Sequence, residues 1–137
     1  MGGVNKVILL GHLGKDPDIR HLEGGVTVAS FSIATSENFR DKNSGEKREQ
    51  TEWHNIVMWR NLAESVEKSE LKKGDRVYLE GKIRTRQWQD KEGNKRSSVE
   101  IVADTFTIVT RKKDRVDAEG IIAEAPASEN GGADLPF

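Results

Sequence analysis

The sequence predicts an all-β domain, a five-stranded Greek-key barrel with one short helix, followed by a disordered acidic C-terminal tail. Three observations carry this expectation. Apolar residues alternate in several separate runs, only one segment has helical spacing, and beyond Arg111 sustained periodicity stops.

VNKVILLGHLG (4–14) is a β-rich run closed by glycines. VTVASFSIAT (26–35) alternates through Phe31, Ile33 and Thr35, while Val26 and Val28 fall on the other parity, which suggests a bulge near Ala29. SENFRDKNSGEKREQ (36–50) is polar and glycine-bearing and reads as a long hairpin loop. TEWHNIVMWR (51–60) sets Trp53, Asn55, Val57 and Trp59 on one face and His54, Ile56 and Met58 on the other. NLAESVEKSELKKG (61–74) is the helix, with Asn61 and Glu64 as a capping box and Leu62 and Val66 as its apolar stripe. DRVYLEGKIRTRQW (75–88) is a long strand with Val77, Leu79 and Ile83 on one face. Lys82, Arg84, Arg86 and Trp88 share the opposite face. QDKEGNK (89–95) is a glycine hairpin loop, and SSVEIVADTFTIVT (97–110) returns as the last strand or pair of strands.

One helix cannot cover both faces of an open five-stranded sheet, so closure into a barrel is the natural way to remove the sheet edges. Five strands with a helix before the fourth is the oligonucleotide/oligosaccharide-binding (OB) arrangement. The domain runs over residues 1–111, and residues 112–137, rich in Ala, Gly and Glu, form the tail.

The net charge of −1 conceals an asymmetry. Residues 1–115 hold 22 basic and 18 acidic side chains, a net of +4, whereas residues 116–137 hold five acids and no base. A basic body with an acidic tail is an interaction pattern. No stretch approaches the roughly 20 apolar residues of a membrane span. The N-terminal MGGVNKVILLGHLG lacks a basic n-region and a small-residue cleavage site, so the expectation is a cytoplasmic chain without a membrane partner.

Catalysis lacks its parts. There are no cysteines, and His12, His21 and His54 share no ligand spacing, so no metal site or cofactor is expected. GHLGKD (11–16) has two residues where a phosphate loop needs four before its Gly-Lys, and Asp16 where it needs Ser or Thr. No GxSxG motif occurs. The chain is expected not to be an enzyme.

The aromatics point elsewhere. Trp53 shares a face with Asn55 and Trp59, and Trp88 with Arg84 and Arg86, while the opposite faces already hold the apolar sets of a core. Rings left outside the core beside cations suit unpaired nucleobases, whose flat faces stack and whose phosphates need counter-charge. For Trp59 a satellite core with Val57 is equally open, and for Phe39 a loop anchor is. Three other occupants remain: a protein partner of an OB adaptor, RNA, or an oligosaccharide.

With GVNKVILLGHLGKDPDIR, ATSENFRDKNSGEKREQTEWHNIVMW, VYLEGKIRTRQWQD and the terminal DLPF, the chain resembles the bacterial single-stranded DNA-binding (SSB) family over nearly its whole length. The resemblance implies an OB-fold homotetramer that wraps single-stranded DNA without strong sequence preference at the bacterial nucleoid. By matched positions the base-stacking rings are Phe39, Trp53, Trp59 and Trp88. The phosphate-binding cations are Lys6, Arg20, Arg40, Lys42, Lys72, Arg84 and Arg86. His54 and Tyr78 fall at a subunit interface. The tip Asp134, Leu135, Pro136 and Phe137 matches the family's docking motif for replication, recombination and repair proteins.

Overall fold

The structure, a computed structural model, describes residues 2–114. Residues 115–137 of the tail, with the Asp134–Phe137 tip, therefore lie outside the described residues. Among the described residues six strands form: β1 Val7–Leu13, β2 Asp18–His21, β3 Thr27–Arg40, β4 Lys47–Trp59, β5 Arg76–Gln89 and β6 Lys95–Thr110. The α-helix α1, Asn61–Ser69, sits between β4 and β5.

The sheet order is β1-β5-β6-β4-β3-β2, and β1 pairs again with β3, which closes β1, β5, β6, β4 and β3 into a five-strand barrel. All pairings are antiparallel except β4 with β6, where Ile56 meets Ile101 and Val57 meets Val102. Closure happens at His12 opposite Ala34 and Leu13 opposite Ile33. A side chain at Gly11 would strike the Ala34 carbonyl, so β1 crosses from β5 to β3 where only glycine lets the backbones meet. The unpredicted β2 is a short outer strand that pairs only with β3 and lies outside the ring of five.

The core follows the alternation. Ala29, Phe31 and Ile33 of β3, Ile56 and Met58 of β4, Val77 and Leu79 of β5, and Ile101 and Ala103 of β6 are buried together. Each large member contributes about 1.5–3 kcal/mol by leaving water. Helix α1 adds Ala63 and Val66 to this cluster, with Leu62 packed at its margin. At nine residues the helix depends on that packing rather than on its intrinsic propensity.

Four sequence expectations are corrected. The segment 36–50 is not a long loop, because β3 and β4 stay paired as far as Arg40 and Lys47, leaving a tight turn over 41–46. No bulge occurs at Ala29, since the β3–β4 register is continuous from Val28–Trp59 to Arg40–Lys47. The irregularities lie instead in the β5–β6 pair, beside Arg76/Val77 and Glu80/Gly81, where β6 carries the extra residue. Asn61 does not cap the helix: Arg60 occupies the cap position at φ 60°, and no side chain bonds to the free N–H groups there. Ile83, expected on the core face, is 48% exposed although its β6 partner Ile101 is buried: it stands at the rim of the core, where β5 becomes exposed from Lys82 onward.

β5 and β6 likewise continue past the core as a second ribbon, paired out to Gln89 and Lys95. Two exposed hairpin arms thus extend from one barrel.

Candidate nucleic-acid interface

Register builds the site. Along β4, Trp53, Asn55, Val57 and Trp59 stand opposite Ala34, Ser32, Ser30 and Val28 of β3, on the face turned away from the core. Three of the four β3 partners are small, and the indoles at both ends of the row are exposed. Trp53 is 59% exposed, and its ring lies against the backbone of Gly14 at the end of β1. Trp59 borders a groove of about 470 Å³ whose walls include Arg20 and Leu22, Val28 and Ser30, Val57, and Arg84, Arg86 and Glu100. The adjoining hollow runs on past Lys15, Ser32 and Asn55 and shares Arg86 and Glu100 with it.

Four sequence-selected residues therefore meet at one groove: Arg20, Trp59, Arg84 and Arg86. β2 brings Arg20 there by pairing it with Val28. Trp88 stands further out on the same face of β5, 41% exposed, with the Arg86 guanidinium 4.9 Å from its ring centroid. That cation–π contact puts a charge over one face of the ring and leaves the other face for stacking.

The other selected residues lie elsewhere. Phe39 is paired with Arg48, which places it on the opposite face of the β3–β4 ribbon from Trp53. It lines a separate hollow on that arm with Arg40, Lys47 and Arg48. Arg40 donates from Nη1 to the Gly45 carbonyl at 2.9 Å, and Lys42 sits in the 41–46 turn. Lys72 belongs to a cationic cluster with Lys73, Arg111, Lys112 and Lys113 around the α1–β5 loop. There, buried Asp75 accepts the backbone N–H of Lys72 at 3.0 Å and of Lys112 at 2.9 Å.

Lys6 reaches Glu80 at 2.9 Å, and the Tyr78 hydroxyl donates to the same carboxylate at 2.6 Å. Hydrogen bonds from Tyr78 and then Lys6, with the Lys6 charge, hold the Glu80 carboxyl below its ordinary value. The bond to Glu80 pushes both Lys6 and Tyr78 up. This trio shares its outward face with exposed Ile8 and Leu10, since Ile8 pairs with Glu80 and Leu10 with Tyr78. His54 points to the face opposite Trp53 and lies 2.9 Å, Nε2 to Oγ1, from Thr35.

Both arms end in the same clasp. Asp41 accepts the Asn43 N–H at 2.9 Å and holds Arg48 Nε at 3.1 Å. Asp90 accepts the Asn94 N–H at 2.9 Å and holds Arg96 Nε at 3.0 Å. These backbone bonds, from Asn43 and Asn94 first, keep the two carboxyls below their ordinary value. Gly45 and Gly93 supply the positive φ of each turn, at 75° and 86°.

Sequence reasoning missed Lys15, Leu22, Ser30 and, above all, Glu100. The last was findable: counting outward from the 89–95 turn pairs Arg84 with Glu100 across the hairpin.

Comparison with known proteins agrees with this architecture. The model of the single-strand binding protein family matches residues 4–109. A single-stranded DNA-binding protein of Rhizobium meliloti (strain 1021) is 45% identical over 131 residues, covering 96% of this chain and 75% of that protein. Among solved structures, the Plasmodium falciparum SSB complex with ssDNA aligns with a TM-score of 0.73 at 36% identity, over 80% of this chain and 97% of that one. The family match begins before the first barrel strand and stops one residue short of the end of the last, so the chain belongs to the single-strand binding protein family.

Proposed function

We propose that this protein binds single-stranded DNA without sequence preference, as a non-enzymatic coat that protects the strand. One observation carries the reading. Three indoles are turned out of a core that is complete without them, and two of these, Trp59 and Trp88, stand beside Arg20, Arg84 and Arg86. Stacking of unpaired bases on such rings contributes about 1–3 kcal/mol each and accepts any base, whereas a duplex hides the base faces. Trp53, Trp59, Trp88 and Phe39 stack, and Lys6, Arg20, Arg40, Lys42, Lys72, Arg84 and Arg86 hold phosphates. The Rhizobium meliloti relative is named a single-stranded DNA-binding protein, and the Plasmodium falciparum neighbour is an SSB complexed with ssDNA.

The test is a tryptophan-fluorescence titration with oligo-dT and with duplex DNA over a salt series. Oligo-dT is expected to quench strongly, with log K falling linearly in log salt, and the duplex weakly. No quenching by oligo-dT overturns the reading, and stronger quenching by oligo-rU assigns the groove to RNA.

Two further parts belong to the same proposal. The protein acts as a homotetramer whose contacts involve Tyr78 and His54; support comes from Ile8 and Leu10, exposed beside Tyr78 on one outer face. The tip recruits replication, recombination and repair proteins, since Leu135 and Phe137 are the only large apolar residues in the final dozen, next to Asp134. Deleting residues 134–137 is expected to abolish capture of those proteins and to leave oligo-dT binding intact. Loss of DNA binding instead refutes this division of labour.

A further inference from the structure

Glu100 is out of place in a groove for a polyanion. It is 8% exposed and lines both connected hollows beside Arg84 and Arg86. One carboxylate oxygen accepts from Arg84 Nη2 at 3.0 Å, and the other lies 3.8 Å from Arg86 Nε. Arg86 in turn lies over Trp88, 4.9 Å from the ring centroid. A carboxylate here repels phosphate and subtracts a charge, which by charge alone would weaken binding.

We propose that Glu100 is a positioning residue for single-strand binding: it clamps Arg84 by a hydrogen bond and draws Arg86, by charge alone, to its place over Trp88. An unclamped arginine would lose its rotamer freedom at each binding event, whereas the bonded Arg84 has given up part of it on folding. A guanidinium has five N–H donors, so the donors left over still face the groove and a phosphate. The negative floor also disfavours phosphate at depth, so the strand runs with its bases inward and its phosphates on the guanidinium rim.

This rests on the single-strand reading above, and the wild-type titration separates the two. If wild type fails to bind oligo-dT, both fall; if it binds and the variants match it, only the Glu100 proposal falls. Glu100→Gln is expected to weaken oligo-dT binding about tenfold although it removes a negative charge. Its salt slope should fall by about 0.7–1.4, the loss of one or two phosphate contacts. Glu100→Asp, which keeps the charge and shortens the reach, is expected to show the same slope loss. Tighter binding by Glu100→Gln with wild-type behaviour of Glu100→Asp overturns the proposal, because charge alone then accounts for the site. A measurement on wild type guards against unfolded variants. In the free protein the Arg84 side-chain nitrogens should give separate, slowly exchanging NMR signals, and a freely rotating guanidinium there overturns the clamp.

Discussion

The indole of Trp53 rests on Gly14, at the spot where any side chain on that residue would stand. The backbone leading into it is held, since Gly14 N–H donates to the Ser32 carbonyl at 3.0 Å and Leu13 N–H to the Asp75 carbonyl at 3.0 Å. The glycine cannot retreat, so a methyl group there must move the ring. Gly14→Ala is therefore expected to weaken oligo-dT binding by roughly 3- to 10-fold, part of one stacking contribution, with little change in thermal unfolding. Unchanged affinity in the titration would show that Trp53 stacks equally well from another pose.

Exposure separates two kinds of large residue. Trp53→Ala and Trp88→Ala should each cost about 1–3 kcal/mol of oligo-dT binding while leaving unfolding free energy within about 0.5 kcal/mol. Met58→Ala and Leu79→Ala, fully buried in the barrel, should cost about 2–5 kcal/mol of stability. Urea unfolding alongside fluorescence titration checks both. A large loss of stability in either tryptophan variant would return that ring to the core.

Arg60 joins β4 to α1 at φ 60° and ψ −124°, a conformation that L side chains rarely adopt. The turn is pinned by Arg60 N–H donating to Thr27 at 2.8 Å and by Glu64 N–H donating to the Arg60 carbonyl at 2.9 Å. Glycine adopts this geometry freely, and its greater unfolded-state entropy offsets only part of the relief. Arg60→Gly is expected to raise the melting temperature by about 2–5 °C. A lower melting temperature by calorimetry would mean that the Arg60 side chain stabilises the turn.

The Tyr78–Glu80–Lys6 trio predicts a pH signature. Glu80 is depressed from 4.5, so the stability it contributes is complete above that pH and is lost as pH falls through its lowered value. Lys6 and Tyr78 are raised from 10.5 and 10.0, so their contributions are complete below those values and are lost as pH rises through the raised ones. Tyr78→Phe removes the largest cause of the Glu80 shift. In that variant a carboxyl-detected NMR titration should find Glu80 protonating at higher pH. The stability gap to wild type should narrow on acidification below 4.5. A gap constant from neutral to strongly acid pH would count against the coupling.

The sequence by itself determined which side of each strand faces inward. Strict alternation in TEWHNIVMW sends Ile56 and Met58 to the core and leaves Trp53 and Trp59 outside, because a strand can bury only one parity against a single core. The KIRTRQW row likewise stays on the outer face of β5. Local pattern carries no information about how far two strands remain paired once they leave the core, so the polar segment 36–50 looked like a loop and Ile83 like a core residue. Only the tertiary structure put Phe39 on the far face of its ribbon, laid Trp53 on Gly14, and set Glu100 between Arg84 and Arg86. Each of these follows from register between separate segments, which backbone hydrogen bonding and barrel closure set together and which no single stretch of residues encodes.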